Sequence, residues 1–262
     1  MAVPKSLLID KQQVLESFAK IYLPRHESIK AAKWFRQYLV KKFDSSGYSN
    51  HYVRQKLQGC RLLAGYPCQL VGCPECDRLR RIRIARKYTR LFEALRVDAY
   101  QLYFPGIVPA DTFIPAGDLG SCDWLVRRVA YRNQLKTAFN GLDVCGLFGV
   151  DIDWRQGGWG LHLHGVMAIR GRHGNVSSYL YRRITERLVE SFNPYYQDAA
   201  VPVRKKDIYN LPEALTYLHK SKFSVAGNGW KQQGIELGKR EVELRIFLAG
   251  ISPRKRLLKI GF

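Results

Sequence analysis

The sequence predicts an α+β fold: an antiparallel sheet in split β-α-β (ferredoxin-like) order with helices on one side, preceded by an N-terminal helical and cysteine-rich module. Three observations lead there. Between residues 97 and 225, segments of period two and period 3.6 follow one another as strand, helix, strand, strand, helix, strand. Gly157-Gly158 separates two alternating runs and reads as a hairpin turn. Upstream, four of the six cysteines crowd together as Cys60, Cys68, Cys73 and Cys76.

Length and charge bound the class. A chain of 262 residues with 46% hydrophobic and 12% aromatic residues has the material for a full core. Its formal net charge of +21 calls for an anionic partner, nucleic acid before membrane. No apolar run approaches the roughly 18–20 residues of a membrane span. The N-terminus has neither the apolar length nor the charge order of a secretory signal, so a soluble, cytoplasmic protein is expected.

In chain order, residues 1–50 form an N-terminal helical segment, with helices expected at 11–22 and 27–43 and a polar linker at 44–50. Residues 51–96 form a cysteine module. Cys73-Pro-Glu-Cys76 has the spacing of a zinc knuckle, and in a reducing compartment clustered thiols point to metal rather than disulfides. Cys60 and Cys68 would complete a tetrahedral Zn²⁺ site, with His51 the alternative to Cys60. A basic helix follows over 78–95, capped by Asp77. Its polar face carries Arg80, Arg81, Arg83, Arg86, Lys87 and Arg90 with no acid among them, which favours phosphate contacts.

Residues 97–225 hold the sheet: a strand at 99–104, a loop at 105–120, a helix at 123–140, hairpin strands at 144–154 and 159–169, and a helix opening at Asn175 or Ser177 and running to 192. A weak strand at 199–205 and a helix from 212 to about 222 complete it. The tail, 226–262, is a basic extension, strand-like at 242–249, fit for sheet extension or nucleic-acid contact.

The hairpin carries the chemistry. His162 and His164 stand one pleat apart and face the same way. With Gly157-Gly158 as the turn, Asp153 falls opposite His162 and Asp151 opposite His164. Two imidazoles and a carboxylate hold a divalent cation and leave positions open for substrate. Asp153 is the expected third ligand, with Asp151 behind it. On the later helix, Tyr217 and Lys220 stand three apart and share a face. A phenol with pKa near 10 is a poor nucleophile unless neighbouring positive charge eases its ionisation.

His162-Leu163-His164 followed by Tyr217-Leu-His-Lys220 resembles the HUH endonuclease superfamily, and within it the rolling-circle replication initiators of plasmids and phages. The likeness spans about residues 97–222, and Cys73-Pro-Glu-Cys76 with its arginine-rich continuation is similar to segments upstream of the core in some plasmid initiators. Tyr100-Gln-Leu-Tyr-Phe104 matches the family's usual threonine-rich first strand poorly. The resemblance implies Mg²⁺ or Mn²⁺ on His162, His164 and an aspartate, and Tyr217 as nucleophile on single-stranded DNA, giving a 5′-phosphotyrosine. It implies Lys220 on the phosphate or phenolate, with Lys222 among the DNA-contacting residues, and Tyr209 as the fallback nucleophile. An origin hairpin, a host helicase and polymerase, and a bacterial or archaeal host of a mobile element go with it. The rivals are a single-tyrosine transposase or relaxase, a metal-dependent hydrolase using water, and a non-catalytic zinc protein that binds nucleic acid on a ferredoxin-like sheet.

Overall fold

The computed structural model describes residues 23, 28–62, 65–97, 100–110, 112–155, 157–171, 176–192, 203–204, 208–220 and 235–262. The helix expected at 11–22 and Lys222 lie outside them.

The N-terminal module is built from three helices. Helix α1 (Ile29–Ser45) starts where the Ser28 side chain accepts the Ala31 N–H. Helix α2 (Tyr52–Gly59) is capped by the His51 ring. Helix α3 (Pro74–Val97) begins at the cysteine knuckle, with proline at its first position, where no backbone donor is needed. Asp77 therefore lies within its first turn rather than at the cap.

The sheet is organised by strands β4 (Val144–Arg155) and β5 (Gly158–Arg170), paired along their whole length. The free edge of β5 is met in succession by three short strands: β1 (Tyr100–Tyr103), β2 (Gly106–Ile107) and β3 (Phe113–Pro115). Pro105 and Pro109 lack the donors a continuous strand needs, so the chain steps along β5 in pieces. The stretch 105–120, expected as loop, thus contains two strands too short for any periodicity to show. Strand β6 (Val203–Arg204) pairs with β2, and β7 (Leu257–Ile260) with β4. The order β6-β2-β5-β4-β7 is antiparallel at every pairing.

Helices cover both faces, not one. On one face α4 (Trp124–Ala138) and α5 (Ser178–Phe192) bury Leu135, Ile184 and Leu188 against Phe148, Leu161, Leu163 and Met167. On the other, α3 and α6 (Leu211–Tyr217) bury Ala85, Phe92, Leu215 and Leu218 against Leu147, Val166 and Ala168. Gly149 sets the depth of that second layer. A Cβ there would lie 2.1 Å from the Leu218 carbonyl oxygen, so only glycine lets the end of α6 rest on the sheet.

The tail is part of the core. Residues expected as a strand at 242–249 are helical, α7 (Ile235–Ala249), and bury Val242 against α1 and the cysteines and Leu244 and Leu248 against the main core. The strand of this region is β7, so sheet extension is what the tail does.

Candidate active site and metal centres

Side chains alternate between the faces of β4 and β5, and Asp151, His162 and His164 point to the α3/α6 side. The register differs from expectation by one pair. Arg155 pairs with Gly158, which puts Asp151 opposite His162 and Gly149 opposite His164, while Asp153 faces Gly160. A shift of two in pairing keeps every side chain on its face, so Asp151, second to Asp153 in the sequence reading, is the carboxylate that lies opposite His162.

Asp151 is the hub. Its Oδ1 accepts the Ile152 N–H at 2.9 Å. Its Oδ2 lies 3.1 Å from His162 Nε2, 3.5 Å from His164 Nε2 and 3.2 Å from the Tyr217 hydroxyl, and also receives the Lys220 ammonium. Four groups converge on one oxygen with two lone pairs. His164 is half-buried; its Nδ1 has no hydrogen-bond partner among the described residues, and its Nε2 has the long 3.5 Å approach to Asp151. The ligand atoms of Asp151, His162 and His164 all lie within 4.8 Å of one another. An over-subscribed oxygen beside an orphaned imidazole is the donor set a divalent cation would satisfy.

Asp153 does a different job. Arg155 grips it through Nε at 2.7 Å and Nη2 at 2.8 Å, and its Oδ1 is 3.8 Å from His162 Nδ1. It stands behind the histidine rather than in the trio, where an acceptor orients a ligating ring. Gly160 makes the room, since a Cβ there would come within 2.7 Å of Arg155 Nε.

Tyr217 and Lys220 arrive together, as their spacing predicts. Asn210 caps α6 by accepting the Glu213 N–H, and the chain beyond Tyr217 turns once more to carry Lys220. Lys220 Nζ is 3.2 Å from the Tyr217 hydroxyl. The Tyr217 side chain is 40% exposed, open to a polymer substrate, whereas Tyr209 is 96% exposed. Phe104, which no sequence motif marked, stacks on His164 with ring centres 5.7 Å apart and presents an edge to Tyr217.

The electrostatics follow from burial and crowding. Burial alone would raise the Asp151 carboxyl, but His162, His164 and Lys220 together hold it far below its ordinary range. Burial pushes His164 down and keeps it neutral, the form that ligates metal. Burial first, and then the Asp151 charge, push the Tyr217 phenol up. Without added positive charge the phenol is a hydrogen-bond donor and not a phenolate.

The second centre is the cysteine cluster. Sγ–Sγ separations are 3.7 Å for Cys60–Cys76 and Cys68–Cys76, and 3.8 Å for Cys60–Cys73. A disulfide needs about 2.05 Å. A tetrahedron with ~2.3 Å metal–sulfur bonds has edges of about 3.8 Å. The four thiols can therefore hold a metal such as zinc. His51 is committed to capping α2 and is not among them. Gly72, at φ +88°, turns the chain into the knuckle and packs so closely on Leu248 that a Cβ would stand 3.1 Å from it.

The basic helix divides. Arg83, Arg86, Lys87 and Arg90 are exposed on α3. Arg80 instead donates to the Leu70 carbonyl at 2.7 Å and to Asp77 at 2.6 Å, and Arg81 is buried. Those two serve the fold, a role invisible in a run of like charges. No helix among the described residues is long and apolar enough to cross a membrane.

Compared with known proteins, the chain matches no family model, no curated protein and no solved structure.

Proposed function

We propose that this chain is a metal-assisted, tyrosine-dependent nickase of single-stranded DNA of the HUH type, acting as a rolling-circle replication initiator. The observation that carries the reading is the Tyr217 hydroxyl, 3.2 Å from the same Asp151 oxygen on which His162 and His164 converge. A nucleophile, a cation site and an ammonium share one carboxylate. The strand order adds support, because the first and third strand regions lie at the centre with the fourth and second outside them, as a split β-α-β sheet requires.

Asp151, His162 and His164 would hold Mg²⁺ or Mn²⁺, which when bound polarises the scissile phosphate and offsets the Asp151 charge. Tyr217 loses its proton and its oxygen bonds to phosphorus. The bond from phosphorus to the 3′ oxygen breaks, and that oxygen leaves protonated as a 3′-hydroxyl. One phosphodiester replaces another, so the reverse step rejoins strands without a nucleoside triphosphate. Lys220, within reach of both the phenol and Asp151, stabilises the phenolate or the phosphate. Arg83, Arg86, Lys87 and Arg90 supply phosphate contacts beside the site, and zinc in the cysteine cluster anchors α3 from which they project.

The test uses purified protein, Mn²⁺ and labelled single-stranded oligonucleotides tiled over neighbouring genomic DNA, read on a denaturing gel. A protein–DNA band that disappears in Tyr217→Phe, with DNA affinity unchanged, is expected. An adduct that persists in Tyr217→Phe moves the nucleophile elsewhere, and tight binding without an adduct on any oligonucleotide or hairpin overturns the nickase reading.

A further inference from the structure

We propose that Arg256 is a positioning residue for Lys220, and that Asp77 ties it to the cysteine knuckle, making the metal at that knuckle a structural input to the site in the fold's other module. The inference rests on the reading of Lys220 as a site residue.

The chain of contacts is continuous. Asp77 follows Cys76 directly, is fully buried, and donates its N–H to the Cys73 carbonyl at 2.8 Å. Its carboxylate accepts the Gly72 N–H at 2.7 Å, so the knuckle itself sets where that charge lies. Arg256, just ahead of β7 and 2% exposed, places Nη1 3.8 Å from Asp77 Oδ2 and 3.1 Å from His219 Nδ1. Its Nη2 donates to the Lys220 carbonyl at 2.6 Å. The Lys220 N–H in turn donates to the Tyr217 carbonyl at 3.1 Å.

Charge and shape explain why arginine stands here. Burial lowers Arg256 to about 10, which leaves it cationic at neutral pH and in need of a counter-ion. Asp77 offers Oδ2 at 3.8 Å, its Oδ1 being held by Arg80 at 2.6 Å. The planar fork addresses Asp77, the His219 ring and the Lys220 carbonyl from fixed directions at once, which the single ammonium of lysine cannot do. The backbone of Lys220 is thereby held where its side chain meets Asp151 and Tyr217.

Two measurements on the full chain test this. Mn²⁺ binding, followed by electron paramagnetic resonance, is compared for the wild type, Arg256→Lys, Lys220→Met and the double variant. If Arg256 acts through Lys220, loosening it frees Asp151: Arg256→Lys tightens Mn²⁺ fivefold or more, yet changes it less than twofold once Lys220 is methionine. Equal effects in both backgrounds, or weaker binding in Arg256→Lys, would mark Arg256 as merely structural and overturn the proposal. The second is hydrogen exchange. Removing zinc from the wild type should speed exchange of 211–220 tenfold or more while 144–170 stays protected, and Asp77→Asn should do the same with zinc still bound. Unchanged exchange at 211–220, or loss of protection throughout the chain, overturns the link and needs no folded Arg256 variant to be seen. Neither readout involves nicking. Absence of any DNA adduct with these couplings intact sinks the nickase reading alone, and intact nicking with no coupling sinks this inference alone.

Discussion

Replacing Lys220 with methionine should tighten binding of Mn²⁺ while abolishing nicking. The Lys220 ammonium rests on Asp151 Oδ2, the oxygen a cation needs. Their side chains are only 20% and 6% exposed, so solvent screens the pair little. A hydrogen bond between charged partners in such a setting is worth about 1.5–3 kcal/mol. A cation must displace it, and the variant has nothing to displace. At about 1.4 kcal/mol per factor of ten, affinity should rise by roughly 10-fold to 100-fold. The lower end is expected, because in the wild type the displaced ammonium keeps the Tyr217 hydroxyl at 3.2 Å as a partner. Titration of both proteins with Mn²⁺ at neutral pH, by calorimetry or electron paramagnetic resonance, reads this directly. Equal or weaker binding by the variant would refute the reasoning: Lys220 would then be helping to shape the metal site instead of competing for it.

Purified protein should contain about one equivalent of zinc, and Cys73→Ser should lose it and unfold at lower denaturant concentration; zinc-free native protein would refute the tetrahedral reading. Gly149→Ala sets a methyl against the Leu218 carbonyl and should cost about 2–3 kcal/mol in chemical denaturation, with adduct formation lost before the fold is. Neutralising Arg83, Arg86, Lys87 and Arg90 together should reduce the salt dependence of single-stranded DNA binding by a slope of about 2–3 without changing stability, since each phosphate contact contributes roughly 0.7. Arg80→Met should do the opposite, destabilising by about 1.5–3 kcal/mol through the lost hydrogen bond to Asp77, which keeps Arg256 and the Gly72 N–H, and leaving the slope alone. Burial and the neighbouring Arg256 hold His219 well below its ordinary value, so the unfolded chain takes up a proton near pH 6.5 that the folded one refuses. Stability is therefore complete above that pH and falls as pH drops below it, by up to about 1.4 kcal/mol per unit, with His164 adding in the same sense. His219→Gln should flatten the slope between pH 7 and 5, as read from denaturation midpoints.

The hairpin and the face that carries its histidines were legible because alternation survives even where both faces are covered: apolar residues fill one side and the His-x-His pair marks the other. Its register was not, because a turn one residue earlier than Gly157-Gly158 leaves the pattern of faces intact and changes only which carboxylate meets His162. The Tyr217/Lys220 pair was legible because a helix enforces its spacing. Helix α7 was misread because burial on several sides, including Glu241 and Arg245 paired inside the core, erases the polar stripe that announces a helix. Arg80 looked like its neighbours because a charge run does not disclose the acid beneath it. Arg256 carried no signal at all: its partners come from α3 and the end of α6, far away in sequence, and only packing brings them together.

The pairing of β7 with β4 has a bearing on how the protein is made. Strand β4 leaves the ribosome roughly 5–20 s before β7 at ordinary rates of synthesis. For that interval the edge of β4 over Gly146, Leu147, Phe148 and Gly149 lacks its neighbour, and an open edge can recruit other chains. The corner around Lys220 also lacks Arg256, whose side chain donates to the Lys220 carbonyl. The same late segment thus covers that stretch of edge and completes the surroundings of Lys220.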